Sequence, residues 1–240
     1  MSQPHIVAMG GGGFLMEPEN PLLDDFVLGL AQKERPRVCF IPTASADSAR
    51  SIARFYRAFA AKCVATDLTL FEQPALPRRP ARTEDLADFV AQQDVFYVGG
   101  GNTAHLLALW RVHGLDRLLR DAWQRGAVLA GVSAGMICWF QASVTDSFGG
   151  VAPLRDGLGF LDGSACPHYD GEAQRRPKYQ ALVTEGFPAG YAAGDGAALH
   201  FTGTTLTEVV SSRANAAAYR VALRDGQLVE ERLTTRFLGA

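Results

Sequence analysis

The sequence predicts an α/β fold of three layers: a mostly parallel central sheet, helices on both faces, and antiparallel strands added at the edge by the C-terminal segments. Three observations predict it. Short apolar runs alternate with helix-period segments through the first half of the chain, and glycine-rich turns close several of those runs. Beyond Gly149 the segments become shorter, alternate apolar with polar residues, and are separated by turns such as Asp225-Gly226.

His5 to Met9 reads as the first strand, ended by the run Gly10 to Gly13, and Leu22 to Leu30 has helical periodicity. Arg37 to Ile41 is a second strand, stopped at Pro42. Ser48 to Ala61 spaces its apolar residues by three and four, as a helix does, and Ala65 to Phe71 suggests a third strand. The proline-rich segment Gln73 to Pro80 reads as a loop within one domain, because the alternation resumes after it. Asp94 to Val98 is a fourth strand running into Gly99-Gly100-Gly101-Asn102, and helices follow around Thr103 to Trp110 and Leu115 to Arg125. The fifth strand, Ala127 to Ala130, enters Gly131-Val132-Ser133-Ala134-Gly135, and the apolar stretch Met136 to Phe140 continues as a helix. After it, Tyr191 to Ala193, Ala197 to Phe201, Glu208 to Val210, Ala218 to Leu223 and Gln227 to Glu230 read as the edge strands.

A chain of 240 residues with 48% hydrophobic content builds one sizeable core, so residues 1–240 are read as one domain. A net charge of -2 with no basic stripe argues against nucleic acid as a partner. No apolar run reaches the ~18 residues of a membrane span, and no charged n-region precedes an apolar stretch at the N-terminus, so the expectation is a soluble, cytoplasmic protein. Cys39, Cys63, Cys138 and Cys166 lie far apart with no CxxC pair, which speaks against a disulfide framework or a zinc site.

The chemistry concentrates in Gly131 to Gly135. A buried strand, a Gly-x-Ser-x-Gly turn and a helix make a nucleophile elbow, which lifts the serine hydroxyl above the sheet. The competing reading is a tight turn whose serine only caps a helix. Serine needs a base. His5 lies upstream of its glycine turn, and His113 precedes Gly114 at a helix end. His105 falls in a first helical turn, where the dipole disfavours an imidazolium. His168, in Pro167-His168-Tyr169-Asp170, and His200 remain as candidate bases, and Asp170 and Glu172 read as solvated loop charges. The Gly10 to Gly13 run does not continue as GxGxxG into a clear helix, so it reads as a tight turn or a substrate-facing loop rather than a nucleotide site.

Three blocks carry a resemblance: Tyr97-Val98-Gly99-Gly100-Gly101-Asn102-Thr103, the elbow, and Pro167-His168-Tyr169 followed by Arg175-Arg176-Pro177-Lys178-Tyr179. In these the chain resembles the peptidase E family of serine peptidases, aspartyl dipeptidases on a class I glutamine-amidotransferase-like fold. The resemblance implies Ser133 as nucleophile, His168 as base and removal of an N-terminal aspartate from short peptides, without a metal or other cofactor. It also implies a third member: Asp195, in a Gly194-Asp195-Gly196 setting that brings a short carboxylate close to the imidazole, with Asp146 as the alternative. The oxyanion would be met by the N–H of Ala134 and of Gly100 or Gly101. Arg175 or Arg176 would hold the substrate carboxylate, and Asn102 or an acidic side chain its ammonium. A homodimer is plausible for the family.

Two further classes are set against this reading. An α/β-hydrolase esterase would use Ser133, Asp195 and His200 in that order. A non-catalytic binding protein would keep the sheet but lose the base. Within the same fold, a cyanophycinase-like hydrolase of β-linked aspartyl bonds is the nearest enzymatic alternative.

Overall fold

The computed structural model describes residues 3–71 and 83–239, so the expectation of a loop over Gln73 to Pro80 lies outside the described residues. The first half of the chain follows the predicted alternation. Strands β1 (His5–Met9), β2 (Arg37–Ile41), β3 (Val64–Asp67), β4 (Val95–Val98) and β5 (Val128–Val132) are interleaved with α1 (Gly13–Met16), α2 (Leu22–Leu30), α3 (Ala49–Phe59), α4 (Thr83–Ala91), α5 (Thr103–His113) and α6 (Leu115–Gln124). Strand β3 stops four residues short of the expected Phe71. After β5 come α7 (Ala134–Ile137), β6 (Phe140–Thr145), β7 (Ala152–Leu154), β8 (Leu161–Cys166), α8 (Arg175–Thr184), β9 (Gly190–Ala193), β10 (Ala197–Thr202), β11 (Thr205–Ser211), β12 (Ala218–Arg224), β13 (Gln227–Arg232) and β14 (Thr235–Phe237).

The main sheet has eight strands in the order β14-β11-β10-β1-β5-β4-β2-β3. Strands β1 to β5 pair in parallel throughout. Strands β1, β2, β4 and β5 are buried on both faces, as near-continuous apolar runs require, while β3 at the sheet edge is half-exposed. Period-two alternation sorts their side chains. Ile6, Ala8, Cys39, Ile41, Phe96 and Val98 join one core with α5, α6 and α7. Val7, Met9, Val38, Phe40, Val95 and Tyr97 join the other, under α1 to α3. The α/β class and the helix-flanked parallel centre are those the sequence predicts.

The second half departs from expectation in one respect. Only β10 and β11 extend the main sheet as antiparallel strands, and β14 joins β11 in parallel. Strands β9, β12 and β13 instead belong to a second, mixed sheet of six strands, ordered β13-β12-β9-β8-β6-β7. That sheet packs one face on the core containing α7 and Trp139, and the other on α8 through Tyr169, Tyr179, Leu182 and Val183. It exists because α7 is a single turn: the apolar stretch read as helix ends at Ile137, and Phe140 already starts β6.

The register places function. Met9 aligns with Val132, and Val98 with Gly131, so the loops after β1, β4 and β5 open at one sheet edge. The second sheet ends β8 and β9 beside them, and the isolated bridge from Gly11 to Asp195 joins the two.

Candidate active site

Ser133 stands where β5 turns into α7, with φ 57 and ψ -110, a conformation costly for a residue with a side chain. The surroundings hold it there. Its N–H donates to the Met9 carbonyl at 3.0 Å, and its own carbonyl accepts from Met136 and Ile137. The flanking glycines are needed for room: a Cβ on Gly131 would lie 2.4 Å from the Gly135 carbonyl oxygen, and one on Gly135 would lie 2.3 Å from that of Val98.

His168 follows β8, also at positive φ, and its N–H donates to the Gly10 carbonyl. Its Nε2 lies 2.8 Å from Ser133 Oγ and its Nδ1 lies 2.7 Å from Asp195 Oδ1. Asp195 follows β9, and the hydrogen bond from His168 lowers its carboxyl pKa against the opposing effect of burial. An ionised carboxylate only accepts, so Nδ1 carries the proton and Nε2 is free to accept from the serine hydroxyl. The carboxylate is wedged between two glycines. A Cβ on Gly11 would lie 2.0 Å from Oδ1, and one on Gly171 would lie 2.4 Å from Oδ2. In the glycine run after β1, Gly11 makes room for the imidazole–carboxylate contact. Sequence reading missed Gly11 and Gly171 because the group they make room for is remote in the chain.

Gly100 approaches the serine closely; a Cβ there would lie 3.3 Å from Ser133 Cβ. Gly101 turns away against Ala44, at φ 137. Among the described residues, the N–H groups of Gly100 and Ala134 take no acceptor.

A cleft of about 380 Å³ opens over the serine, and its lining includes Asn102, Ser133, Asp146, His168, Glu172 and Arg175. Asn102 is occupied by its own helix. Its Oδ1 caps α5 by accepting from His105 N–H at 2.9 Å, and its Nδ2 donates to the Ser147 carbonyl. Arg175 is buried, donating from Nε to Glu172 Oε2 at 2.6 Å and from Nη1 to the Val144 carbonyl at 3.3 Å. Asp146 meets Arg175 Nη2 at 3.5 Å and is not the partner of His168. Glu172 is exposed, as expected of a loop charge, and also pairs with Arg175.

Arg176 does not reach the cleft. Successive helical residues point about 100° apart, and α8 turns Arg176 toward Glu230 and Asp170, over the rings of Tyr169 and Tyr219. Tyr169 OH donates to the same Glu230 at 2.5 Å. His200 pairs with His5 at 3.0 Å and with Glu208 at 3.3 Å. His5 opens β1 opposite Val128, at the far end of the strands from Ser133, so the esterase order Ser133, Asp195, His200 is not assembled. His113 ends α5 before Gly114 in left-handed conformation, and His105 lies in the first turn of α5. Among the described residues, no three His, Cys, Asp or Glu side chains are grouped to hold a metal ion, and no helix is long and apolar enough to cross a membrane.

A strained serine at a strand-to-helix elbow, hydrogen-bonded to a histidine and through it to a carboxylate, is the arrangement of a hydrolase with a serine nucleophile. The chain belongs to peptidase family S51, whose sequence profile matches residues 6–209, and it is a peptidase. It is 52% identical over 236 residues to the uncharacterized peptidase YgaJ of Bacillus subtilis (strain 168), covering 98% of this chain and 99% of that one. It is 29% identical over 132 residues to peptidase E of Pasteurella multocida (strain Pm70), covering 51% of this chain and 56% of the other. Two solved structures share the fold at 18% identity each. One is a peptidase from an acI-B1 Actinobacterium, with a TM-score of 0.71 over 97% of this chain and 95% of that one. The other is a putative peptidase E protein from Listeria monocytogenes EGD-e, with a TM-score of 0.57 over 97% and 100%.

Proposed function

We propose that this peptidase hydrolyses short peptides, Asp-X dipeptides foremost, through an acyl-enzyme on Ser133. The observation that carries the reading is the unbroken hydrogen-bonded chain Ser133–His168–Asp195 in a cleft that also holds a buried arginine. Ser133 Oγ attacks the carbonyl carbon of the bond after the aspartate while His168 Nε2 takes its proton. Asp195 steadies the imidazolium by accepting from Nδ1–H. The N–H groups of Gly100 and Ala134 meet the oxyanion. The C–N bond breaks as His168 returns the proton to the leaving amine. Water, deprotonated by His168, then attacks the ester, and Ser133 recovers its proton as the aspartate leaves.

Arg175 is the cation for the substrate's side-chain carboxylate, which is costly to bury without one. Its Nη2 is only loosely engaged by the exposed Asp146, so an incoming carboxylate displaces a weak partner. Four buried free thiols fit a reducing, cytoplasmic setting.

The test is a panel of Asp-X, β-aspartyl and Leu-X dipeptides and simple esters, assayed with the parent, Ser133→Ala and Arg175→Met. Ser133→Ala should lose on the order of 10⁴-fold or more in kcat with folding intact. Arg175→Met should cost Asp-X roughly 2–5 kcal/mol in transition-state binding and Leu-X much less. A folded Ser133→Ala at near-parental rates ends the serine mechanism, and a parent without an Asp-over-Leu preference ends the aspartyl specificity.

A further inference from the structure

The structure assigns Asp24 a positioning role: with Tyr97 it anchors the turn on which Ser133, His168 and Asp195 are all mounted. The inference rests on the reading of those three residues as the catalytic row. Three consecutive carbonyls of the turn after β1 hold them. Met9 O accepts from Ser133 N–H at 3.0 Å, and Gly10 O accepts from His168 N–H at 3.2 Å. Gly11 O accepts from Gly196 N–H, next to Asp195, at 2.9 Å. Strands β5, β8 and β9 each deliver one member of the row, and one stretch of backbone sets their spacing. That stretch is rich in glycine, whose backbone is the least restrained of any residue, so it needs a hold from outside.

The hold lies just beyond it. Asp24, in α2, is 4% exposed, and Tyr97, in β4, is fully buried. The Asp24 carboxylate accepts from the Phe14 N–H and, at 2.8 Å, from Tyr97 OH. The Tyr97 hydroxyl also lies 3.6 Å from Met9 Sδ. Gly13 turns between the two side chains at φ 59, and a Cβ there would lie 2.3 Å from Tyr97 Oη and 2.9 Å from Asp24 Oδ1. One buried pair thus touches both ends of the turn, Met9 at its start and Phe14 past its finish. From Tyr97 the chain of β4 runs on to Gly100, whose backbone approaches Ser133. A carboxyl group is costly in an apolar core unless donors meet it, and the donors that Asp24 meets belong to these two segments. Asp24 touches none of the reacting atoms and acts through the backbone of the turn.

The alternative is that Asp24 and Tyr97 only support the fold. Parent, Asp24→Ala, Asp24→Asn, Tyr97→Phe and the double variant Asp24→Ala/Tyr97→Phe are compared with Ser133→Ala and with Tyr56→Phe. Tyr56→Phe removes the same chemistry elsewhere, a hydroxyl bonded to the Asp67 carboxylate at 2.7 Å between α3 and β3. Two rates are measured. One is kcat on the best substrate of the dipeptide and ester panel, per active site counted by end-point fluorophosphonate labelling. The other is the rate of labelling itself, which reports on the serine whatever the substrate. A purely structural role lowers the melting temperature and the number of sites but leaves both rates per site unchanged. Asp24→Ala should lower both rates by about 10- to 10²-fold with KM within about threefold, because a misplacement of about 1 Å costs up to about 10²-fold. Tyr97→Phe, which loses one hydroxyl, should lower both by about three- to tenfold. The double variant should be little worse than Asp24→Ala, because the two groups act as one pair. Asp24→Asn, which keeps an acceptor, should stay within about threefold of the parent. Parental rates per site in Tyr97→Phe and in folded Asp24→Ala overturn the proposal, and if Asp24→Ala does not fold, Tyr97→Phe decides alone. An equal loss in Tyr56→Phe also overturns it. A folded Ser133→Ala that turns over substrate at the parental rate refutes the serine reading itself, and the proposal falls with it.

Discussion

Replacing Gly11 by alanine should slow the enzyme without removing any group that the proposed mechanism uses. The backbone at Gly11 is not left-handed, so the methyl group meets no conformational penalty, and its effect is steric. The new Cβ would lie 2.0 Å from Asp195 Oδ1, 2.9 Å from its Cγ and 3.1 Å from His168 Nδ1. To reach ordinary contact near 3.4 Å the carboxylate must retreat by about 1.4 Å. That retreat runs almost at right angles to the 2.7 Å bond to His168, so the bond lengthens to about 3.2 Å and is weakened and misaligned rather than broken. No easy relief exists, because Gly171 closes the other side of the carboxylate and Gly196 N–H ties the backbone to the Gly11 carbonyl at 2.9 Å. Losing the carboxylate's hold on the imidazole costs about 10⁴ in kcat in serine triads. A displaced carboxylate that keeps a weakened bond should cost only part of that, about 10- to 10²-fold in kcat, with KM little changed, and overpacking should cost about 1–3 kcal/mol of stability. The assay is kcat and KM on the best dipeptide, beside a thermal melt and the rate of fluorophosphonate labelling. A Gly11→Ala protein with kcat within about threefold of the parent would refute the wedge argument.

Gly29→Ala is the matching control: nothing lies within 4 Å of a Cβ there, in α2, so it should stabilise by about 0.5–1 kcal/mol and leave activity unchanged. A lowered melting temperature would count against that packing. Arg176→Met should lower the melting temperature by removing the pair with Glu230, while the ratio of Asp-X to Leu-X hydrolysis stays as in the parent; a collapsed ratio would return Arg176 to the cleft. Burial pushes the Asp24 carboxyl up from 3.8 to about 7, against the hydrogen bond from Tyr97 OH at 2.8 Å. The fold thus prefers the protonated acid, and this contribution is full below pH 3.8 and is lost as pH rises toward about 7. Melts across that window should show Asp24→Asn gaining on the parent as pH rises, and a difference that does not change with pH would sink the assignment.

The parallel half of the fold was legible because strands buried on both faces are apolar without interruption, as Val95 to Val98 are. Ser133 was legible because its glycines are spaced by what the turn forbids. The second sheet was not. Phe140 to Thr145 prolongs an apolar helix pattern, and Leu161 to Cys166 carries Gly163 and Ser164 in mid-strand. Nor does sequence say which way neighbouring arginines face: Arg175 and Arg176 are equivalent in type and opposite in use, divided by the turn of α8. The partner of Asp146 and the pairing of His5 with His200 depend on contacts between elements distant in the chain, which no local pattern encodes.

The hydrogen-bonded chain crosses from one sheet to the other. Ser133 ends a strand of the main sheet, while His168 and Asp195 end strands of the second, translated later. Ser133 thus precedes in the chain both residues that its hydrogen-bonded row needs. The imidazole arrives only after β8, and its proper tautomer only when β9 docks at Gly11. On the proposed mechanism, then, the serine gains its base only when both sheets are complete.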